Sequence, residues 1–260
     1  MNQPAVTVER RDAVQWITIN RPDRRNSINE EVTTAIAAGI NAAARTPDCR
    51  VIVLTGAGDS TFCAGADLRT SEGGAFDIDY ANPQHYLIDL FRCMQACPIP
   101  IIARVNGHAM AGGLGLVCAC DMAITADDAR FGTPEAKVGV FPMMILTHML
   151  RILPRRKLVE MCFTAEAFDA NTALDLGLVN FVVPRKELDA RLDKLIAQIV
   201  ANAPTSLRLG KQAIQAMQDM SLPEAFEYAQ LMVAVMSSTA DAREGIAAFR
   251  EKRKPAWTGK

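Results

Sequence analysis

Ile101-Ile102-Ala103-Arg104-Val105-Asn106-Gly107-His108-Ala109-Met110-Ala111-Gly112-Gly113-Leu114-Gly115-Leu116 decides how the fold is read. Ile101–Val105 follows Pro98 and Pro100 and is a short apolar run, the mark of a buried strand. A small-residue turn comes next, and Gly112–Cys120 then reads as an apolar helix. Strand, turn and helix in succession are the unit of an α/β fold. The unit also occurs upstream. Val51-Ile52-Val53-Leu54-Thr55 ends at Gly56-Ala57-Gly58, and Pro83–Cys97 carries Leu87, Leu90, Phe91 and Met94 at helical spacing. Met122–Thr125 opens a third unit, with Ala129-Arg130-Phe131-Gly132 as its turn.

Outside these units, Val6–Glu9 and Val14–Asn20 form a hairpin around Arg11-Asp12. Asn29 caps a helix that runs to about Ala44, with Glu30 and Glu31 in its first turn. Glu72–Asn82 lacks periodicity and reads as a loop. Beyond residue 188 the pattern turns helical over 188–202, 206–220, 223–236 and 240–252, with no strand. The expected division is an α/β core over 1–195 and a helical region over 196–260. That region is read as a lid or a subunit interface.

Composition excludes several classes. The chain has 260 residues, 50% hydrophobic and 22% charged, with a formal net charge of −1, so no charge excess points to nucleic acid or an anionic membrane. The N-terminus lacks a signal-peptide pattern, and no apolar stretch is long enough for a bilayer. Seven cysteines with no C-x-x-C pair point to reduced thiols and a cytoplasmic protein. Three histidines, none at ligand spacing from a Cys or carboxylate, give no expected metal site.

Two segments carry chemistry: Phe62-Cys63-Ala64-Gly65-Ala66-Asp67-Leu68 and Asn106–Leu116. Each is a small-residue turn at the end of an apolar strand. Turns of this kind expose N–H groups, and two of them facing each other would hold a developing negative charge on a carbonyl oxygen. Either turn alone is more often a plain tight turn, and it is the two together, in this order, that point to the chemistry.

In order and spacing, these motifs resemble those of the crotonase, or enoyl-CoA hydratase/isomerase, superfamily. The likeness extends to Asn20-Arg21-Pro22 with Asn26, Cys120-Asp121, Phe131-Gly132-Thr133-Pro134-Glu135, Ala173–Val179, and Glu244-Gly245 through Arg253-Lys254-Pro255. It implies a spiral of repeated β-β-α units with a helical C-terminal trimerisation region. It also implies a homotrimer or dimer of trimers, acyl-CoA thioester substrates, and no cofactor beyond the CoA of the substrate. The oxyanion hole would be the N–H groups of Ala66 and Gly112, and Glu135 the acid/base. The implied substrate- and CoA-binding set is Arg24, Arg25, Ala64, Asp67, Leu68, Gly113, Pro134, Phe249 and Lys252.

The chain departs from the hydratase pattern twice. The position of a second glutamate, three residues into the helix from Gly112, is Gly115. A glycine-rich run is replaced by Phe141-Pro142-Met143-Met144-Ile145-Leu146, which reads as acyl-pocket lining or as a plain apolar helix start. Asp67, Asp77, Asp79 and Asp89 are the carboxylates left to consider as substitutes. His85, His108 and His148 read as structural. One carboxylate beside an oxyanion hole favours enoyl-CoA double-bond isomerisation. A 2-enoyl-CoA hydratase of fatty-acid β-oxidation is the alternative, and a weakly catalytic acyl-CoA-binding protein is the alternative of another class.

Overall fold

Short apolar runs bounded by Gly and Pro pair into two sheets in the computed structural model, which describes residues 4–69, 80–81 and 83–260. The chain begins with the hairpin β1 (Val6–Arg11) and β2 (Val14–Ile19), followed by α1 (Glu30–Ala44). The Asn29 side chain accepts the Val32 N–H and so caps α1 as its sequence position implies. Next come β3 (Val51–Gly56), β4 (Thr61–Cys63), α2 (Tyr86–Ala96), β5 (Ile101–Val105), β6 (His108–Met110), α3 (Gly112–Ala119), β7 (Met122–Ala126) and β8 (Arg130–Gly132). A 3-10 turn, Pro134–Val138, leads to α4 (Met143–Ile152), α5 (Arg155–Thr164), β9 (Phe168–Asp169), α6 (Ala170–Asp175) and β10 (Phe181–Val183). Four helices finish the chain: α7 (Leu188–Val200), α8 (Pro204–Met217), α9 (Leu222–Ser237) and α10 (Ala240–Glu251).

The larger sheet has the order β1-β2-β3-β5-β7-β10 and the smaller one β4-β6-β8-β9. Among the described residues the β1–β2 and β8–β9 pairs are antiparallel and the other strand pairs parallel. From β3 to β8 each pair of consecutive strands gives its first member to the large sheet and its second to the small one, and α2 and α3 separate the pairs. This is the α/β arrangement of β-β-α repeats expected above. The turn expected at Arg130–Gly132 is a strand, β8. Asp77 and Asp79 lie outside the described residues.

β3 is buried along its whole length, so both of its faces must meet hydrocarbon. Period two divides them. Ile52 and Leu54 join the core built with α1 and α2, whereas Val51 and Val53 join Leu188, Leu192 and Leu195 of α7. α7 therefore continues through residue 195 as part of the sheet packing. Asn26 and Asn106 tie the loops above the strands. Asn26 Nδ2 donates to the Ala57 and Thr61 carbonyls at 2.9 and 2.7 Å, and Asn106 Nδ2 donates to the Gly58 carbonyl at 2.6 Å. Lys211 on α8 pairs with Asp121 at 2.7 Å and fastens the C-terminal helices to the core. All seven cysteines are free thiols, six of them buried and Cys93 half-buried. Among the described residues no helix is long and apolar enough to cross a membrane.

Candidate active site

Both chemistry-bearing turns have backbone shapes that side chains resist. Gly65 has φ +95°, and a methyl group there would lie 2.5 Å from the Ala111 Cβ and 3.1 Å from the Gly112 nitrogen, so glycine is required. Ile28 pairs in parallel with Ala66, its N–H donating to the Gly65 carbonyl and its carbonyl accepting the Asp67 N–H, both at 2.8 Å. A parallel bridge of this kind uses the groups on either side of Ala66 and turns the Ala66 N–H the other way. In the second turn Ala111 has φ 51° and ψ −125°. It precedes Gly112, whose N–H lies in the first turn of α3 and has no intrahelical acceptor. Among the described residues neither the Ala66 nor the Gly112 N–H has a hydrogen-bond acceptor.

The two turns open onto one cavity of about 490 Å³. Ala64, Ala66, Ala111 and Gly112 form one wall, and Pro134 and Glu135 another. Apart from His85 the rest is largely apolar and comes mainly from Tyr86 and Leu87 on α2 and from residues 140–145. The Phe141–Ile145 stretch is thus both pocket lining and the start of α4, which unites the two readings of it. Glu135 stands on the 3-10 turn after Pro134. Its Oε2 is buried without a hydrogen-bond partner. Burial pushes its carboxyl above the ordinary carboxylate range, and its own backbone N–H offsets part of the shift. The site therefore joins a carboxyl with one unpartnered oxygen, two unpaired N–H donors and an apolar chamber.

The space above Gly115 is closed. A Cβ there would lie 2.3 Å from Ile145 Cγ2 and 3.1 Å from Phe91 Cζ, both side chains being buried. Ile145 itself lines the cavity, so hydrocarbon covers the position where a second acid was sought.

The other expected residues are dispersed. Leu68 is at the cavity rim and largely exposed. Gly113 lies behind the wall, where a Cβ would be 2.2 Å from the Cys63 carbonyl oxygen. Asp67 is buried and pairs with Arg21 at 2.6 Å, with Arg24 at 3.7 Å. Burial raises its pKa, but the Arg21 bond, the Arg69 N–H and the two guanidinium charges outweigh this and hold it below the usual range. Arg25 is exposed, and its carbonyl accepts the Ala64 N–H at 3.1 Å. Phe249 is 85% exposed and Lys252 ends α10, and neither lines the cavity of its own chain. Asp89 pairs with Arg92 at 2.8 Å on the solvent side of α2, away from the cavity.

Sequence reasoning missed His85, Tyr86 and Ile28 as lining residues. His85 Nδ1 accepts the Leu87 N–H at 3.1 Å and caps α2, which brings both ring side chains to the cavity. The available signal was their place at the start of an amphipathic helix that follows a loop. His148 instead packs on Phe91, with ring centroids 4.7 Å apart, and His108 is exposed on β6.

An apolar cavity that joins a buried carboxyl and two N–H donors without acceptors is suited to acyl chemistry on an α/β scaffold. The chain belongs to the enoyl-CoA hydratase/isomerase family, whose pattern it matches over residues 9–260. It is 36% identical to a putative enoyl-CoA hydratase of Thermus thermophilus, over 93% of this chain and 96% of that one. It is also 36% identical to the (E)-benzylidenesuccinyl-CoA hydratase of Thauera aromatica, over 98% and 99% of the two chains. Among solved structures, human enoyl coenzyme A hydratase domain-containing protein 3 superposes with a TM-score of 0.91 at 30% identity, covering 97% of this chain and all of that one. An enoyl-CoA hydratase of Mycobacterium smegmatis gives a TM-score of 0.90 at 31% identity, covering 98% and 99%.

Proposed function

We propose that this acyl-CoA enzyme moves a double bond in an enoyl-CoA thioester, with Glu135 as its single acid/base. Glu135 takes a proton from C2 of a 3-enoyl thioester. The electron pair of that C–H bond passes into a dienolate, whose oxygen accepts hydrogen bonds from the Ala66 and Gly112 N–H groups. Glu135 then returns the proton at C4, leaving the double bond between C2 and C3. Donors aimed at a developing oxyanion are worth about 3 kcal/mol each. A carboxyl with a raised pKa is matched to exchanging protons with a weak carbon acid.

One observation carries the choice of reaction: among the described residues the cavity is lined by one carboxylate, Glu135, and Ile145 and Phe91 fill the space above Gly115. Isomerisation needs no attacking water, so it loses nothing by that closure. For CoA, we propose that Arg25, which has no ion pair among the described residues, and Arg24 meet its phosphates, with Phe249 and Lys252 supplied by a neighbouring subunit of a trimer.

The second reading is a 2-enoyl-CoA hydratase, and the names of the Thermus and Thauera relatives favour it. Turnover of matched 2-enoyl- and 3-enoyl-CoA thioesters separates the two. The isomerase reading expects conversion of the 3-enoyl thioester and its loss in Glu135→Gln. Fast hydration of the 2-enoyl thioester with no action on the 3-enoyl one would overturn it. Tight thioester binding without turnover would favour a binding protein instead.

A further inference from the structure

Ala111 is a non-glycine residue in a glycine conformation, and it touches both donor turns. Its φ of 51° with ψ of −125° is a region that a Cβ disfavours. Such a conformation persists only where the surroundings impose it. Here both of its main-chain groups are held: its N–H donates to the Gly132 carbonyl at 2.9 Å, and its carbonyl accepts the Gly115 N–H at 3.1 Å. Its methyl group faces the Cα of Gly65, against which even one added carbon would lie at 2.5 Å. Gly65 immediately precedes Ala66, and Ala111 immediately precedes Gly112. The two turns therefore meet at Gly65, where this methyl group is the nearest side chain and the Gly112 nitrogen and Met110 carbonyl lie beside it, one residue away from each donor.

The geometry points to Ala111 as a positioning residue that spaces the two turns and sets the direction of the Gly112 N–H. The inference rests on the enolate-stabilising part of the function proposed above, and it holds for isomerisation and hydration alike. Glycine at 111 would adopt the same backbone without strain but would leave the two turns without their spacer. The conformational freedom gained would blur the alignment of the two donors, which matters most when charge develops on the oxygen.

The test uses hydrogen–deuterium exchange at C2 of a saturated acyl-CoA in D2O, a readout that needs only enolate formation. Ala111→Gly should slow exchange about tenfold, while the dissociation constant for the same thioester changes less than twofold and the melting temperature does not fall. Ala111→Ser keeps the Cβ and should hold exchange within about threefold of wild type. Unchanged exchange in Ala111→Gly, or a Ser variant as slow as the Gly variant, would overturn the spacer. A wild-type protein that binds the thioester but exchanges nothing would overturn the enolate reading, and the spacer with it. Wild-type exchange matched by Ala111→Gly removes the spacer alone.

Discussion

Glu135 combines burial, an unpartnered Oε2 and a raised pKa, each of which costs stability. A carboxyl whose folded pKa lies above its unfolded one resists ionising in the fold. Its favourable contribution is complete below the unfolded value and is lost as pH rises through the folded one. Glu135→Gln should therefore melt higher than wild type at neutral pH, and the advantage should vanish in acid. Thermal melts across pH check this, and equal melting temperatures at neutral pH would count against it. The same substitution should lower kcat by about 10²- to 10⁴-fold, the usual worth of a positioned acid/base. Proton abstraction needs the ionised form, so kcat/KM should fall on the acid side with a midpoint above the ordinary glutamate value of 4.5. A midpoint at or below that value would show that Glu135 is not the base. Ala111 adds a second local cost, since a non-glycine residue in such a conformation costs of order 1–3 kcal/mol.

At the scale of elements, α3 and α4 have exchanged volume. α3 has glycine at 115, and α4 fills the space with Ile145. Gly115→Glu alone should overpack the contact and destabilise by about 1–3 kcal/mol or more, with little gain in hydration of 2-enoyl-CoA. Ile145→Ala alone should cost about 2–5 kcal/mol for the cavity it leaves. Residues in contact do not add independently, so the double variant should be more stable than the sum of the two losses allows. Denaturant melts of all four proteins measure the coupling, and strict additivity would mean the two sites do not share this space. Neither the contact nor its depth is visible in sequence, because Ile145 is one apolar residue in an apolar run. The long strands were legible, since β3, β5 and β7 are mostly apolar runs of five or six residues, and α1 was announced by its Asn29 cap. The small sheet was not. β4, β6 and β8 are three residues each, too short for a period, and the Gly residues beside them read as turns. The donor turns were legible as small-residue clusters. His85 and Tyr86 were hidden because helix start and pocket wall leave the same mark on the sequence.

Among the described α-helices, α9 alone has no buried residue. α9 has sixteen residues and buries none of them, yet Leu222, Phe226, Leu231, Val233 and Val235 are apolar and exposed. Ile246 and Phe249 on α10 and Ile214 on α8 add to this surface. A lone soluble chain rarely shows so much hydrocarbon on contiguous elements, and a formal net charge of −1 opposes association little. Lys211 holds this layer to Asp121 of the core, and the buried Asp241, which accepts the N–H groups of Thr205, Thr258 and Gly259, ties α10 to the start of α8 and to the C-terminal residues. The expected state is a trimer that covers α9. Light scattering should give the mass of three chains or a multiple of it. Leu231→Glu should reduce that mass without unfolding the chain, because Leu231 makes no buried contact within it. If Phe249 and Lys252 reach a neighbour's CoA, the same variant should raise KM for the thioester more than it lowers kcat. A single-chain mass for wild type at tens of micromolar would sink the trimer. An unchanged KM in a fully dissociated variant would confine the CoA site to one chain.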